Sequence, residues 1–367
     1  MTMQETSPAP AEVTLDRHCP LVSCGQEVVR GERIATASRP GAGDIHAPFP
    51  GKVLHVDPYR IRIARQEGKT VAPAVLDGLS GPELLTRLRE LGADIPACAQ
   101  VDTLIINGVD EEPGLRSRRT LLAEQLDTLC AGAEALVRGF VPVDAVLAVA
   151  GGVRESLPDM TVKVVSDQYP QGLDPLVAKT VTGIEAPDHT LVVGLETVFH
   201  AGLVMKTGLP VMQTMVTVDN TARLIDLGVP VGEILTTDGG TIRDGDRIVL
   251  GGVLRGRAAA SPTQGVDRAT TCVSLVRNPA PVAMDAPCVG CGECVRRCPA
   301  RLDPAMITSY AEFGQYAKAE AEAVDACFEC GLCGYFCIAR RPMLQYIRLA
   351  KSELAKAKAQ SGEETQP

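Results

Sequence analysis

Two cysteine runs near the C-terminal end constrain this chain more than any other feature. The first reads CVGCGECVRRCP and carries Cys288, Cys291, Cys294 and Cys298. The second reads CFECGLCGYFC and carries Cys327, Cys330, Cys333 and Cys337. Both follow C-x2-C-x2-C-x3-C, a spacing that suits a cubane iron–sulfur cluster. Three thiolates two residues apart wrap one cluster on a tight loop, where small residues let backbone amides approach the sulfides. The fourth thiolate, three residues on, sits at a helix start and points at the neighbouring cluster. Cys288, Cys291, Cys294 and Cys337 are therefore assigned to one [4Fe-4S] cluster, and Cys327, Cys330, Cys333 and Cys298 to the other. A zinc site closes with two C-x2-C pairs and would leave the third and fourth cysteines of each run surplus. A disulfide framework belongs to small secreted chains, and nothing in the sequence suggests export. Pro299 follows the first run and Ile338 the second. The proline turns the chain away from its ligand without being one.

The length, 367 residues, allows two or three domains, each with its own core. Apolar residues at 45% and charged residues at 22% are ordinary for a globular protein. The net charge of -9, the absence of Trp and only 3% aromatics argue against nucleic-acid binding, which wants a basic footprint and stacking rings. They equally disfavour adhesion to anionic lipid. No stretch is long and apolar enough to span a bilayer, and MTMQETSPAPAEV lacks the charged start and apolar run of a signal peptide. The expectation is a cytoplasmic chain that reaches a membrane only through partners, without direct insertion. Cys19, Cys24, Cys98, Cys130 and Cys272 read as buried or reduced thiols.

Residues 1–12 are polar and proline-rich and read as a disordered tail. Residues 13–65 alternate short β-branched runs with glycine turns (LVSCGQEVVRGERIATA, IHAPFPGKVLHVD), the grammar of a compact all-β module. This pair of stretches resembles the barrel-sandwich hybrid fold of biotinyl and lipoyl carriers. Lys52, in PGK, is not in a carrier-lysine setting, so the module is read as structural. His46 and His55 read as packed or surface histidines. Residues 75–209 alternate helix and strand: GLSGPELLTRLRELG, then LIIN, then SRRTLLAEQLDTLCAGAEALVRG, then strands over 145–151, 161–166 and 190–194 with helical text between them. That alternation predicts a parallel sheet with helices on both faces. Residues 210–261 read as a small mixed β module with a short helix at ARLIDLG, and residues 262–284 as a linker. Residues 285–357 form the cluster domain, with helical text between the runs and a closing helix after Pro342. The tail AQSGEETQP reads as disordered.

The whole order resembles RnfC, the iron–sulfur subunit of the Rnf electron-transport complex. The residues that carry the resemblance are Asn107, Gly108, Asp110, Glu112 and Pro113, the turn Tyr169-Pro170-Gln171-Gly172, the eight cysteines, and PMLQYIRLAK after them. It spans roughly residues 17 to 357. The α/β part also resembles the NADH-oxidising flavin subunit of respiratory complex I, and the module after Pro210 resembles its β-grasp. The resemblance implies an α/β multidomain chain: a barrel-sandwich β module, a parallel α/β domain, a β-grasp module and an all-α dicluster ferredoxin-like domain. It implies a peripheral electron-transfer subunit on the cytoplasmic face of the cell membrane, within a translocase that couples ferredoxin and NAD chemistry to ion movement. Its partners would be other Rnf-type membrane and iron–sulfur subunits, with ferredoxin or another redox protein.

One family element is missing. The flavin and NADH site of such chains rests on a glycine-rich loop before the LIING-like strand, where backbone amides approach phosphate. Here no glycine occurs between Gly92 and Gly108. Asp110, Glu111 and Glu112 stand where acidic FMN and NADH contacts would be, as a degenerate site, and FMN is not expected. Arg116, Arg118 and Arg119 read as a solvated helix face. Three readings follow: an electron-relay subunit of an Rnf-type complex, an NADH:acceptor oxidoreductase subunit that retains FMN, and a cluster-bearing structural adaptor without turnover.

Overall fold

The computed structural model describes residues 8–237, 239–279 and 287–361. They form two compact units: residues up to 252 together with 257–277, and residues 253–256 together with those from 278 on.

The first unit begins with two antiparallel sheets on one core. One has the order β1-β7-β6-β3, built from Ala11–Thr14 (β1), Glu27–Val28 (β3), Gly51–Asp57 (β6) and Arg60–Arg65 (β7). The other, β2-β4-β5, is built from His18–Pro20 (β2), Arg33–Ala37 (β4) and Ile45–His46 (β5). The alternation of RIRIAR sends Ile61 and Ile63 inward to meet Val13, Ile34 and Val53. β1 begins inside the stretch expected to be a disordered tail. Its residues pair in register with β7, Ala11 with Ile63 through Thr14 with Arg60. A four-residue strand with two small apolar residues gives too weak a pattern to be read from sequence; the ladder to β7 makes it.

Next comes a parallel sheet of order β10-β9-β8-β11: Thr103–Asn107 (β8), Asp144–Ala150 (β9), Thr161–Val165 (β10) and Thr190–Gly194 (β11). Leu104, Ile105 and Ile106 are fully buried, as a strand covered on both faces requires. Leu104 and Ile106 join a core with α1 (Gly81–Glu90), α2 (Ser117–Glu124), α3 (Leu126–Phe140) and α5 (Leu195–Thr207). Ile105 joins the opposite face with Val177 and Ala178 of α4 (Asp174–Thr182). The helix expected across SRRTLLAEQLDTLCAGAEALVRG breaks at Gln125 into α2 and α3. Close crossing of α3 and α5 requires glycine: a Cβ on Gly132 would lie 1.9 Å from the Val198 carbonyl oxygen, and one on Gly202 1.9 Å from that of Thr128. The strand order reverses direction between β8 and β11, so their C-terminal ends flank the crevice where open α/β sheets bind ligands.

Beyond Pro210 lies a mixed sheet of order β13-β12-β16-β14-β15, with α6 (Val231–Thr236) packed on it. Its strands are Gln213–Val218 (β12), Thr221–Asp226 (β13), Arg247–Leu250 (β14), Arg257–Ala258 (β15) and Cys272–Val276 (β16). Two expectations fail here. ARLIDLG is not a helix, because Asp219 and Asn220 (φ 46° and 64°) turn the chain and TARLID pairs back on β12. Two successive left-handed residues are what a tight hairpin needs, and that turn overrides the helical propensity of the following residues. Nor is 262–284 simply a linker: β16 lies between β12 and β14. Residues 280–286 lie outside the described residues.

The second unit is helical: α7 (Glu293–Arg296), α8 (Pro304–Glu312), α9 (Tyr316–Ala321), a 3-10 turn at Val324–Ala326, α10 (Leu332–Tyr335) and α11 (Met343–Ser361). Asp303 caps α8 by accepting from the amides of Ala305 and Met306, each at 3.0 Å. Ile307 and Ala311 of α8 meet Ile347, Ala350 and Leu354 of α11 in the core. α11 carries the chain into the expected disordered tail as far as Ser361; residues 362–367 lie outside the described residues. Among the described residues no helix is long and apolar enough to cross a membrane.

Candidate metal centre

The two cysteine runs fold alike. Gly290 and Gly292 in the first are left-handed (φ 68° and 73°), and so are Glu329 and Gly331 in the second (54° and 74°). Gly292 and Gly331 lead into the short helices α7 and α10. Three residues past each fourth cysteine the chain turns left-handed again, at Arg301 (57°) and Arg340 (53°). These turns bend each run around a point, so that its first three thiols face one side.

Each fourth thiol lies near the first three thiols of the other run. A cavity of about 210 Å³ is lined by Cys288, Cys291 and Cys294 from the first run and by Cys337 from the second. Cys298 acts electrostatically on Cys327, Cys330 and Cys333. Burial pushes the Cys333 thiol up to about 12, with Cys327, Cys330 and Cys298 adding to the rise. Metal binding there displaces protons from thiols that burial would otherwise keep neutral. Among the described residues no three His, Cys, Asp or Glu side chains are placed to hold a single metal ion. A cubane makes a different demand, because each of its thiolates bonds a different iron. Amides are also aimed at sulfur: Leu302 N–H donates to Cys298 Sγ and Glu329 N–H to Cys327 Sγ, both at 3.4 Å. The four thiols around a cavity at the first site and the amides directed at sulfur at the second each fit a cluster.

Local sequence pattern does not point to the side chains behind the second run. Glu329 is gripped by two cations of α11, Arg348 Nε at 2.8 Å and Lys351 Nζ at 3.0 Å. Lys351 Nζ also donates to the Cys327 carbonyl at 2.7 Å, and Arg348 Nη2 to the Arg255 carbonyl at 2.7 Å. Burial would raise the Glu329 carboxyl, but the bonds from Arg348 and Lys351 outweigh it and hold it below the ordinary glutamate range.

A family model described as "4Fe-4S dicluster domain" matches residues 280–338. Relatives match nearly the whole chain. The C subunit of the ion-translocating oxidoreductase complex of Rhodobacter capsulatus is 28% identical over 96% of this chain and 79% of its own length. The C subunit of the Na(+)-translocating ferredoxin:NAD(+) oxidoreductase complex of Acetobacterium woodii is 26% identical over 91% of this chain and 87% of its own. Over nearly its whole length the chain is thus similar to C subunits of ion-translocating oxidoreductase complexes. A chain of a crystal structure of NAD+-reducing [NiFe]-hydrogenase aligns with 79% of this chain and 66% of its own length at 15% identity, with a TM-score of 0.43.

At the end of the parallel sheet the three acids expected as a degenerate FMN and NADH site are placed apart. Asp110 and Glu112 line a cleft of about 150 Å³ with Arg119, Asp167 and Tyr169. Glu111 instead pairs with Arg118 at 2.7 Å. Arg118, expected on a solvated face, is 4% exposed. Its Nε donates to both carboxylate oxygens of Glu196 (3.1 and 3.0 Å) and its Nη1 to the Val109 carbonyl (3.0 Å). Burial acts against the Arg118 charge, but Glu196, Glu111 and Asp174 outweigh it and raise its pKa. Burial pushes the Glu196 carboxyl up against the pull of Arg118. The ends of β8 and β11 thus flank an internal ion group. A Cβ on Gly194 would fall 2.5 Å from Arg118 Nη2. The available sequence signal was Glu196, an acid directly behind a buried strand. Asn107, from the LIING strand, ties in the YPQG turn: its Nδ2 donates to Gly172 O (2.9 Å) and Asp174 Oδ1 (2.7 Å). Between α1 and β8, where a glycine loop would lie, Ala93 and Ile95 are buried and Arg89 donates to the carbonyls of Ile95 and Pro96.

Burial pushes the Asp110 carboxyl up from 3.8 to about 6, against a 2.9 Å bond from the Arg118 amide. A folded pKa above the unfolded one gives stability at low pH that is lost as pH rises through about 6. Asp110→Asn keeps the acceptor oxygen and removes that loss. It should stabilise the chain at pH 7 by about 1–3 kcal/mol, and the gain should shrink toward pH 5. Urea unfolding of both proteins over this range checks it; parallel pH curves would contradict it.

Proposed function

We propose that this chain relays electrons through two [4Fe-4S] clusters, as a peripheral iron–sulfur subunit of an Rnf-type ion-translocating complex. The observation that supports the reading is the placement of Cys337 beside Cys288, Cys291 and Cys294 and of Cys298 near Cys327, Cys330 and Cys333; crossed ligation would hold two cubanes close together as a two-site wire. The names of its relatives, ion-translocating and ferredoxin:NAD(+) oxidoreductases, give the wire its setting. Electrons enter from reduced ferredoxin or another redox protein and leave to other subunits of the complex. The chain docks at the cytoplasmic face through integral partners. The two N-terminal sheets support a structural barrel-sandwich module, and the mixed sheet with α6 a β-grasp.

The family's flavin is not carried here. FMN and NADH bring phosphate, which needs converging amides or basic side chains. The segment before β8 has no glycine loop, the cleft presents Asp110, Glu112 and Asp167 beside Arg119, and Arg118 is engaged by Glu196 and Glu111. Anaerobic reconstitution should give about eight irons per chain. Reduced ferredoxin should bleach the visible band, while NADH with FMN should not, and FMN should be lost on desalting. About four irons per chain would remove one cluster from the reading. Rapid bleaching by NADH with retained FMN would restore the family's usual chemistry.

A further inference from the structure

The two runs share their cysteine spacing and the positions of their left-handed turns, but not the residue at the first of those turns. Where the first run has Gly290 at φ 68°, the second has Glu329 at φ 54°. A left-handed backbone is disfavoured for a non-glycine residue, because its Cβ crowds the following carbonyl. Here the residue is held from its side chain by Arg348 and Lys351, one turn apart on α11. We propose that these two residues clamp Glu329 so that the second site, Cys327, Cys330, Cys333 and Cys298, has a higher reduction potential than its burial alone would give. This is a positioning role, and it rests on the electron-relay reading above.

The physical argument is about charge. Cys330 and Cys333 are each 8% exposed, so an electron added there is poorly screened by water. Reduction adds one electron from an external donor; no bond to the protein breaks and no proton moves. The added negative charge is favoured by positive charge and by N–H donors to sulfur. The clamp supplies both. Two cations against one carboxylate leave one net positive charge, and Lys351 delivers it onto the Cys327 carbonyl at 2.7 Å. The same clamp fixes the backbone that points Glu329 N–H at Cys327 Sγ. The first site is arranged differently: Arg341 lines its cavity and is buried, but it pairs one-to-one with Glu312 and so adds no net charge. Arg296 donates to the Cys291 carbonyl at 2.9 Å and pairs with Glu293, but its side chain is 61% exposed and therefore screened. Gly290 offers no side chain to hold.

The test is a dithionite and mediator titration of the full chain with both clusters loaded, read by EPR. Lys351→Met should lower the reduced-to-oxidised ratio of the second site about tenfold at a fixed potential, equivalent to about 59 mV for a one-electron couple. The first site should not move. Lys351→Arg should restore most of the shift, because charge rather than shape is at issue. If Lys351→Met does not load the second site, Arg348→Gln carries the test with a shift of the same sign. An unchanged second midpoint in the loaded variant, or an equal shift of both sites, overturns the proposal. A wild-type chain with only one EPR-active cluster fails the relay reading instead, before any variant is compared.

Discussion

Replacing Cys298 by alanine should abolish the cluster of the second run and leave that of the first intact. The expectation runs against sequence proximity, since Cys298 lies four residues from Cys294 and far from Cys327. It follows from where the chain puts the thiol. Cys298 Sγ accepts from the Leu302 amide, beside the left-handed turn at Arg301. Its charge acts on Cys327, Cys330 and Cys333, whereas the cavity of Cys288, Cys291 and Cys294 is closed by Cys337. Iron content should fall by about half, and Mössbauer or EPR spectra should keep the signal of the first site. Cys337→Ala should give the mirror result. Loss of the Cys288 site alone in Cys298→Ala would show that each run binds its own cluster.

The two cysteine runs are legible in the amino-acid order because cluster ligation needs fixed spacings and cysteine has few other uses at that density. The parallel strands are legible for a similar reason: Leu104, Ile105 and Ile106 form an unbroken apolar run, which only a strand covered on both faces tolerates. The side chains that tune the sites are not legible. Glu329 reads as an ordinary charged residue until its φ and its two α11 partners are known, because nothing local predicts which of several lysines and arginines 19 to 22 residues away will reach it. Arg118 is misread for the same reason. An arginine among three reads as a solvated face, and its burial depends on Glu196, which is 78 residues distant in sequence. β13 is missed because a hairpin turn at Asp219-Asn220 outweighs local helical preference. In each case pairing across the fold, rather than local pattern, decides the outcome.

Arg118→Met should be the most damaging single change in the α/β part of the chain. It leaves the Glu196 carboxylate buried without its two guanidinium bonds, strips Glu111 of a partner and frees the Val109 carbonyl. Removing one member of a buried ion pair costs on the order of 3–5 kcal/mol, mostly because the other charge is left behind. The pH dependence follows from that residual charge. Burial already pushes the Glu196 carboxyl up with Arg118 in place. Without Arg118 it rises further, so the folded variant binds a proton more tightly than the unfolded one. The deficit should therefore be largest near pH 8 and shrink as the pH falls and Glu196 becomes neutral. A second change, Glu196→Gln, should recover a large part of the loss, since a buried pair replaced at both positions is often close to neutral. Opening the crevice in this way should still not create a flavin site, because Asp110 and Glu112 remain and no glycine loop precedes β8. Urea unfolding of the single and double variants from pH 5 to 8 measures the first part, and FMN retained after desalting measures the second. A single variant with wild-type stability would mean that Arg118 is not the counter-ion of Glu196. Stoichiometric FMN in the double variant would mean that the ion group alone excludes the cofactor.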